Sequence, residues 1–132
     1  MIVADTNLVA YLLIEGTQTA TARAVWDKDP QWMLPTIWRS EFLNVLTTAV
    51  RASVLTLEQA HETWHLALTI FGESEVEPSG DDVLDRAAER KLSAYDAQFA
   101  VAAADLGVPL VTADRRLLAA CGDLAVPPGQ FL

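Results

Sequence analysis

The chain opens on a short apolar run, Ile2-Val3-Ala4, that stops at Asp5. A run of this kind closed by a polar residue reads as a buried strand. Thr6 and Asn7 suit a turn into a helix, and residues 7–14 carry that helix with Leu8, Tyr11 and Leu12 on one side. Glu15-Gly16-Thr17 breaks it. Thr17 to Lys28 predicts a second helix with Ala20, Ala24 and Val25 inward, ended by Asp27, Asp29 and Pro30. Trp32-Met33-Leu34, closed by Pro35, is the second predicted strand. From Thr36 to about Ala52, Ile37, Trp38, Phe42, Val45, Leu46, Ala49 and Val50 form a broad apolar face. Glu41 lies on that stripe, one turn from both Ile37 and Val45. A carboxylate so placed is partly buried, and needs a proton, a cation or a metal. Arg39 and Arg51 are the basic residues near it in sequence.

Ser53-Val54-Leu55 links to a helix whose start, Thr56-Leu57-Glu58-Gln59, has capping-box spacing. Leu57, Ala60, Trp64, Ala67, Leu68 and Phe71 form its stripe. Gly72 to Pro78 is acidic and irregular, with Val76 as a short strand. Ser79-Gly80-Asp81-Asp82 predicts another cap, and Asp82 to Leu92 a helix with Val83, Leu84, Ala87 and Ala88 inside. Ser93-Ala94-Tyr95-Asp96 starts a close-packing, alanine-rich helix to Leu106, which Gly107 caps. Leu110-Val111-Thr112 is a strand with Asp114 just beyond its end. Arg115-Arg116-Leu117-Leu118 opens a short helix, Val126 sits in an edge strand, and Pro127-Pro128-Gly129 makes a terminal turn. Short strands alternating with longer helices predict a parallel sheet covered by helices on both faces.

A chain of 132 residues suits a single compact domain with a real core. Its 52% apolar content is high enough to cover a partner interface as well. Helices around residues 8–14, 17–28 and 36–70, with Trp26, Trp32, Trp38 and Trp64 among them, carry the surplus. No apolar run approaches the ~20 residues that span a bilayer, and none reads as a signal peptide, so a cytoplasmic location without a membrane role is expected. The lone cysteine, Cys121, excludes an internal disulfide and leaves structural zinc or iron–sulfur without ligands; it reads as a small buried residue. A net charge of -9 argues against sequence-blind binding of nucleic acid, but not against a nuclease whose acids are neutralised by metal ions.

Four acids stand out by context: Asp5 and Asp114 after strands, Asp96 in a first helical turn, and Glu41 on an apolar stripe. In a parallel sheet, strand ends and the following helix starts share one edge, so Asp5, Asp96 and Asp114 can converge there, and Glu41 joins them if its helix begins at that edge too. Singly, the structural role is the simpler reading: Asp5 and Asp114 as helix caps and Asp96 as a first-turn acid favoured by helix amides. Together they form an all-oxygen set suited to magnesium or manganese rather than zinc. Magnesium there can activate water, orient a phosphate and stabilise the leaving oxygen of a phosphodiester.

Thr6, Asn7, Ser40 and Thr112 adjoin the acids and are candidates to hold their rotamers. Asn44 lies one turn beyond Glu41, Tyr95 could stack on a base, and Arg115 and Arg116 could meet phosphate. Arg86, Arg90 and Lys91 form a second basic group, with surface ion pairing to Asp85 or Glu89 as its simplest use. His61-Glu62-Thr63-Trp64-His65 matches the zinc-peptidase pattern His-Glu-x-x-His. No third ligand pattern accompanies it, and Trp64 belongs to the apolar stripe, so a surface or packing role is expected.

Val3-Ala4-Asp5-Thr6-Asn7, Ser40-Glu41-Phe42-Leu43-Asn44-Val45-Leu46, Ser93-Ala94-Tyr95-Asp96-Ala97-Gln98-Phe99 and Leu110-Val111-Thr112-Ala113-Asp114-Arg115-Arg116-Leu117 together resemble a PIN-domain ribonuclease. Within that family the chain resembles the VapC toxin of a VapBC toxin–antitoxin pair. The resemblance covers nearly the whole chain. It implies one PIN domain over residues 1–132, built as a three-layer α/β/α sandwich with a mostly parallel sheet. It implies that Asp5, Glu41, Asp96 and Asp114 are the metal-binding quartet of a magnesium- or manganese-dependent endoribonuclease. It also implies an RNA substrate, a homodimer and an inhibiting VapB-like antitoxin. Three other classes remain open on the residues alone. A receiver-like phosphoacceptor also gathers acids at strand ends, but needs a lysine near a late strand, and Lys28 and Lys91 are the only lysines. A phosphatase with a nucleophilic aspartate would want a second acid two residues on, where Asn7 stands. A catalytically inactive interaction module would bind no divalent ion.

Overall fold

The computed structural model describes residues 1–132. Strand β1 (Ile2–Ala4) leads into helices α1 (Thr6–Leu13) and α2 (Thr19–Lys28), then strand β2 (Trp32–Pro35). Helices α3 (Trp38–Arg51) and α4 (Leu57–Phe71) lead to β3 (Glu75–Val76). Helices α5 (Gly80–Arg90) and α6 (Ala94–Leu106) lead to β4 (Leu110–Val111), followed by α7 (Arg115–Ala120), β5 (Ala125–Val126) and α8 (Pro128–Phe131).

Period-two alternation explains how strands this short sort the core. Ile2, Ala4, Trp32, Leu34 and Val111 pack into one cluster with residues of α1 to α4. Val3 and Leu110 point the other way, into a second cluster with α5, α6 and α7. The inner strands β1, β2 and β4, covered on both faces, are apolar throughout, as parallel strands covered by helices are. The result is a three-layer α/β/α sandwich with a five-stranded sheet ordered β3-β2-β1-β4-β5. Every strand pair is parallel, so all carboxyl ends lie on one edge. The chain moves from β1 to β2 on one side and later returns to β4 on the other. The strand order reverses at β1, and a crevice forms beyond such a reversal.

The predicted start signals are used. Thr56 caps α4 in a complete capping box with Gln59, and Ser79 and Ser93 accept from the amides of Asp82 and Asp96. Gly107 ends α6 in the left-handed conformation, with φ 67°. Lys91 does the same for α5 with φ 56°, where a side chain is strained.

Three expectations are corrected. In α2 the inward residues are Thr19, Ala22 and Val25, while Ala20 is exposed; its first turn, of alternating threonine and alanine, has too little apolar contrast to fix the rotation. Leu84 was expected inside α5 but is 67% exposed, and Ala88 is exposed too, because only Val83 is fully covered along this helix. The tail at Pro127 to Gly129 is not a simple turn; Pro128 opens the one-turn helix α8, its ring having no N–H to lose at a helix start.

The start of α3 is anchored to the far edge of the sheet. Trp38 is fully buried and donates its Nε1–H to Glu75 Oε2 at 2.7 Å. Arg39 grips both oxygens of the same carboxylate, each at 2.7 Å. Trp38 also sets its ring edge-on to Phe71, which stacks on Trp32 at 5.9 Å. These contacts set the rotation of α3 and therefore the position of Glu41 in its first turn.

Candidate functional site

Asp5 follows β1 directly and is 8% exposed. Its Oδ1 accepts from the Thr6 amide at 2.7 Å, and its Oδ2 accepts from the Thr112 hydroxyl at 2.5 Å. Thr112 comes from the end of β4, so one hydrogen bond joins the two strands at the reversal of order. Thr112 is itself fully buried, and its Oγ1 accepts from the Asp114 amide at 2.9 Å. On the other side of Asp5, the Thr6 hydroxyl donates to Glu41 Oε1 at 2.7 Å. Two threonine hydroxyls thus link Asp5, Glu41 and the turn bearing Asp114.

Asp96 joins this set through its field. Burial raises the Asp96 carboxyl above its usual range and the charge on Asp114 adds to the effect, while Arg116 acts against it. Burial likewise raises Glu41, with Asp96 adding repulsion. For Asp5 the desolvation is strongest and pushes the pKa up to about 6, against the two hydrogen bonds that favour the anion. Glu41 and Asp114 both add to that rise. The four acids, distant in sequence, therefore share one electrostatic neighbourhood at the carboxyl edge of the sheet.

Two of the structural roles expected for them are real. Asp5 caps α1, and Asp114 Oδ1 caps α7 by accepting from the amides of Arg116 and Leu117 at 2.7 and 3.2 Å. Capping leaves Asp114 Oδ2 without a protein donor. Neither arginine near Glu41 in sequence neutralises it: Arg39 is bound to Glu75 and Arg51 lines a groove beside α4. No ion pair reaches any of the four acids; the salt bridges of the chain lie elsewhere.

Of the neighbouring residues singled out in the sequence, Thr6 and Thr112 bond to the acids as described. Asn7 stands in the first turn of α1, and its Oδ1 is buried with no hydrogen-bond partner. Ser40 and Asn44 are exposed on α3 and make no hydrogen bond to Glu41. Arg115 is exposed without a partner, while Arg116, also exposed, is the basic residue whose charge reaches Asp96. Nothing in the sequence separates these two adjacent arginines. The turn of α7 does, because consecutive helical side chains point about 100° apart. In the second basic group Arg90 is structural: it binds Asp123, Glu89 and the carbonyl of Ala120.

The chemistry of the donor set fits a hard divalent cation. Every donor is oxygen, Asp5, Glu41 and Asp96 are desolvated, no basic side chain is bound to any of the four, and a buried acceptor, Asn7 Oδ1, two residues after Asp5 in the chain, has no donor. Nowhere in the chain do three or more His, Cys, Asp or Glu side chains converge to metal-binding distance. That also leaves the His61-Glu62-Thr63-Trp64-His65 pattern without the third ligand of a catalytic zinc site.

Comparison with known proteins agrees with this architecture. Among solved structures, PAE2754 from Pyrobaculum aerophilum superposes with a TM-score of 0.76 at 24% sequence identity, over 98% of this chain and 85% of that one. FitAcB from Neisseria gonorrhoeae gives a TM-score of 0.73 at 17% identity, over 98% of this chain and 99% of that one. At such identities the likeness is one of fold. No curated protein matches the sequence. The sequence model of the PIN domain matches residues 2–123. Spanning nearly the whole sandwich and every acid of the crevice, that match means the chain belongs to the PIN-domain family.

Proposed function

We propose that this chain is a divalent-metal-dependent endoribonuclease, the VapC-like toxin of a toxin–antitoxin pair, acting through Asp5, Glu41, Asp96 and Asp114. The observation that carries this reading is the set of three desolvated carboxylates, Asp5, Glu41 and Asp96, which feel one another's charge and that of Asp114 at the sheet's order reversal, with no basic side chain bound to any of the four.

Asp5, Asp96 and Asp114 would hold magnesium or manganese, and Glu41 would complete the site through a water or a second ion. When bound, the ion supplies Lewis-acid activation of water and of the phosphodiester. Thr112 holds one oxygen of Asp5, and Thr6 orients Glu41, so neither carboxylate has to be reoriented from bulk water. Arg115 and Arg116, exposed in the first turn of α7 beside Asp114, would take RNA phosphates in a strongly acidic chain.

An apolar groove of about 570 Å³ between α3 and α4, with Leu43, Leu46, Leu57 and Trp64 on its walls, supports the antitoxin part of this reading. Such a trough accepts the apolar side of an amphipathic helix. The apolar surplus around it is likewise what a homodimer would use.

Digestion of total RNA with and without magnesium, followed by mapping of the cut ends, tests the activity. Discrete cuts that need the metal and vanish in Asp5→Asn and Asp96→Asn proteins are expected. Cleavage that persists unchanged in both variants would refute the assignment.

A further inference from the structure

We propose that His61 and His65 form a second metal site, a bis-imidazole site for zinc, nickel or copper, separate from the acidic crevice. The two residues are one turn apart on α4, where side chains at such spacing start about 5–6 Å apart. Their ring centroids lie 6.4 Å apart with the planes tilted by 42°. Both residues are exposed, so modest rotamer changes, which cost little at a surface, bring one nitrogen of each ring onto a single ion. No hydrogen bond or ion pair has to be broken, since neither ring carries one; only the backbone carbonyl of His65 is engaged, by Thr69.

The helix beneath is already ordered. It spans Leu57–Phe71 and starts in a full capping box, so binding orders two side chains and no backbone. Glu58 and Glu62, exposed on the same helix, contribute negative charge near the ion. The facing wall of the groove offers Arg51 as its basic side chain, which favours an ion held close to α4 rather than across the gap.

Ligand chemistry separates this site from the crevice. Imidazole nitrogen selects zinc, copper and nickel, whereas carboxylate oxygen suits magnesium and manganese. Two protein nitrogens leave the remaining positions of a tetrahedral ion open. Because both histidines line the groove between α3 and α4, those open positions face whatever lies in it, and a carboxylate or imidazole there would complete the shell.

Zinc titration by calorimetry in excess magnesium, together with copper electron paramagnetic resonance at one equivalent, tests the site on the full chain. Zinc binding that survives the magnesium, and a copper spectrum with two equivalent nitrogens, are expected. His61→Ala and His65→Ala proteins, shown to be folded by circular dichroism, should each lose the second nitrogen and most of the zinc affinity. An Asp96→Asn protein should retain both. Unchanged zinc binding in the two histidine variants, or a single-nitrogen copper spectrum in the parent, would overturn the proposal.

Discussion

At the scale of single residues, the site depends on hydroxyl groups more than its acids suggest. Thr112 is isosteric with valine, yet its Oγ1 both donates to Asp5 and accepts from the Asp114 amide. Thr112→Val keeps the volume and removes both bonds, leaving a desolvated carboxylate with one donor fewer. Divalent affinity or RNA cleavage should fall by roughly 10–100-fold, the usual effect of losing a residue that orients a ligand; metal titration and cleavage rates measure it. Asp5, Asp96 and Asp114 were legible in the sequence because each follows a strand or opens a helix, and Glu41 because it lies on an apolar stripe. The partners of the threonines were not, since Thr6 meets Glu41 across 35 positions and Thr112 meets Asp5 across 107. Only strand order brings such pairs together. The same limit applies to Ser40 and Asn44, which adjoin Glu41 in sequence but face solvent.

Among the elements, caps were the most readable feature and helix rotation the least. Thr56 with Gln59, Ser79, Ser93 and Gly107 act within a few residues of chain, so local chemistry determines them. The rotation of α2 and α5 depends on what packs against them, which misplaced Ala20 and Leu84. Lys91 marks a local conflict: a left-handed cap occupied by a residue with a Cβ. Lys91→Gly should stabilise the protein by roughly 0.5–1 kcal/mol, read as a higher denaturant midpoint at unchanged slope. The anchor of α3 should respond in the opposite sense. Glu75→Ala leaves the buried Trp38 Nε1–H unpaired and frees Arg39, and should cost about 1–3 kcal/mol in urea unfolding. Because that anchor fixes the first turn of α3, cleavage should weaken as well, through Glu41.

For the whole molecule, a concentrated site is a debt in stability. The Asp5 carboxyl moves from 3.8 when unfolded to about 6 when folded, so the folded state holds its proton more tightly. Below the lower value both states are protonated and nothing is lost. As pH rises through about 6 the folded chain must carry a buried anion, and stability falls by roughly 3 kcal/mol. Glu41 and Asp96 are raised in the same direction and add to the loss. Unfolding in EDTA should therefore show a protein less stable at about pH 7 than this group allows at about pH 4, and Asp5→Asn should flatten that slope. Magnesium at about 100 times its dissociation constant should restore roughly 2.7 kcal/mol to the parent and little to the variant. The outer strands have a consequence of a different kind. β3 and β5 are two residues each, too short to template an incoming strand. The sheet is closed to β-augmentation and to edge-to-edge aggregation, so association must be recruited through helical faces, where side-chain shape and charge can discriminate one partner from another.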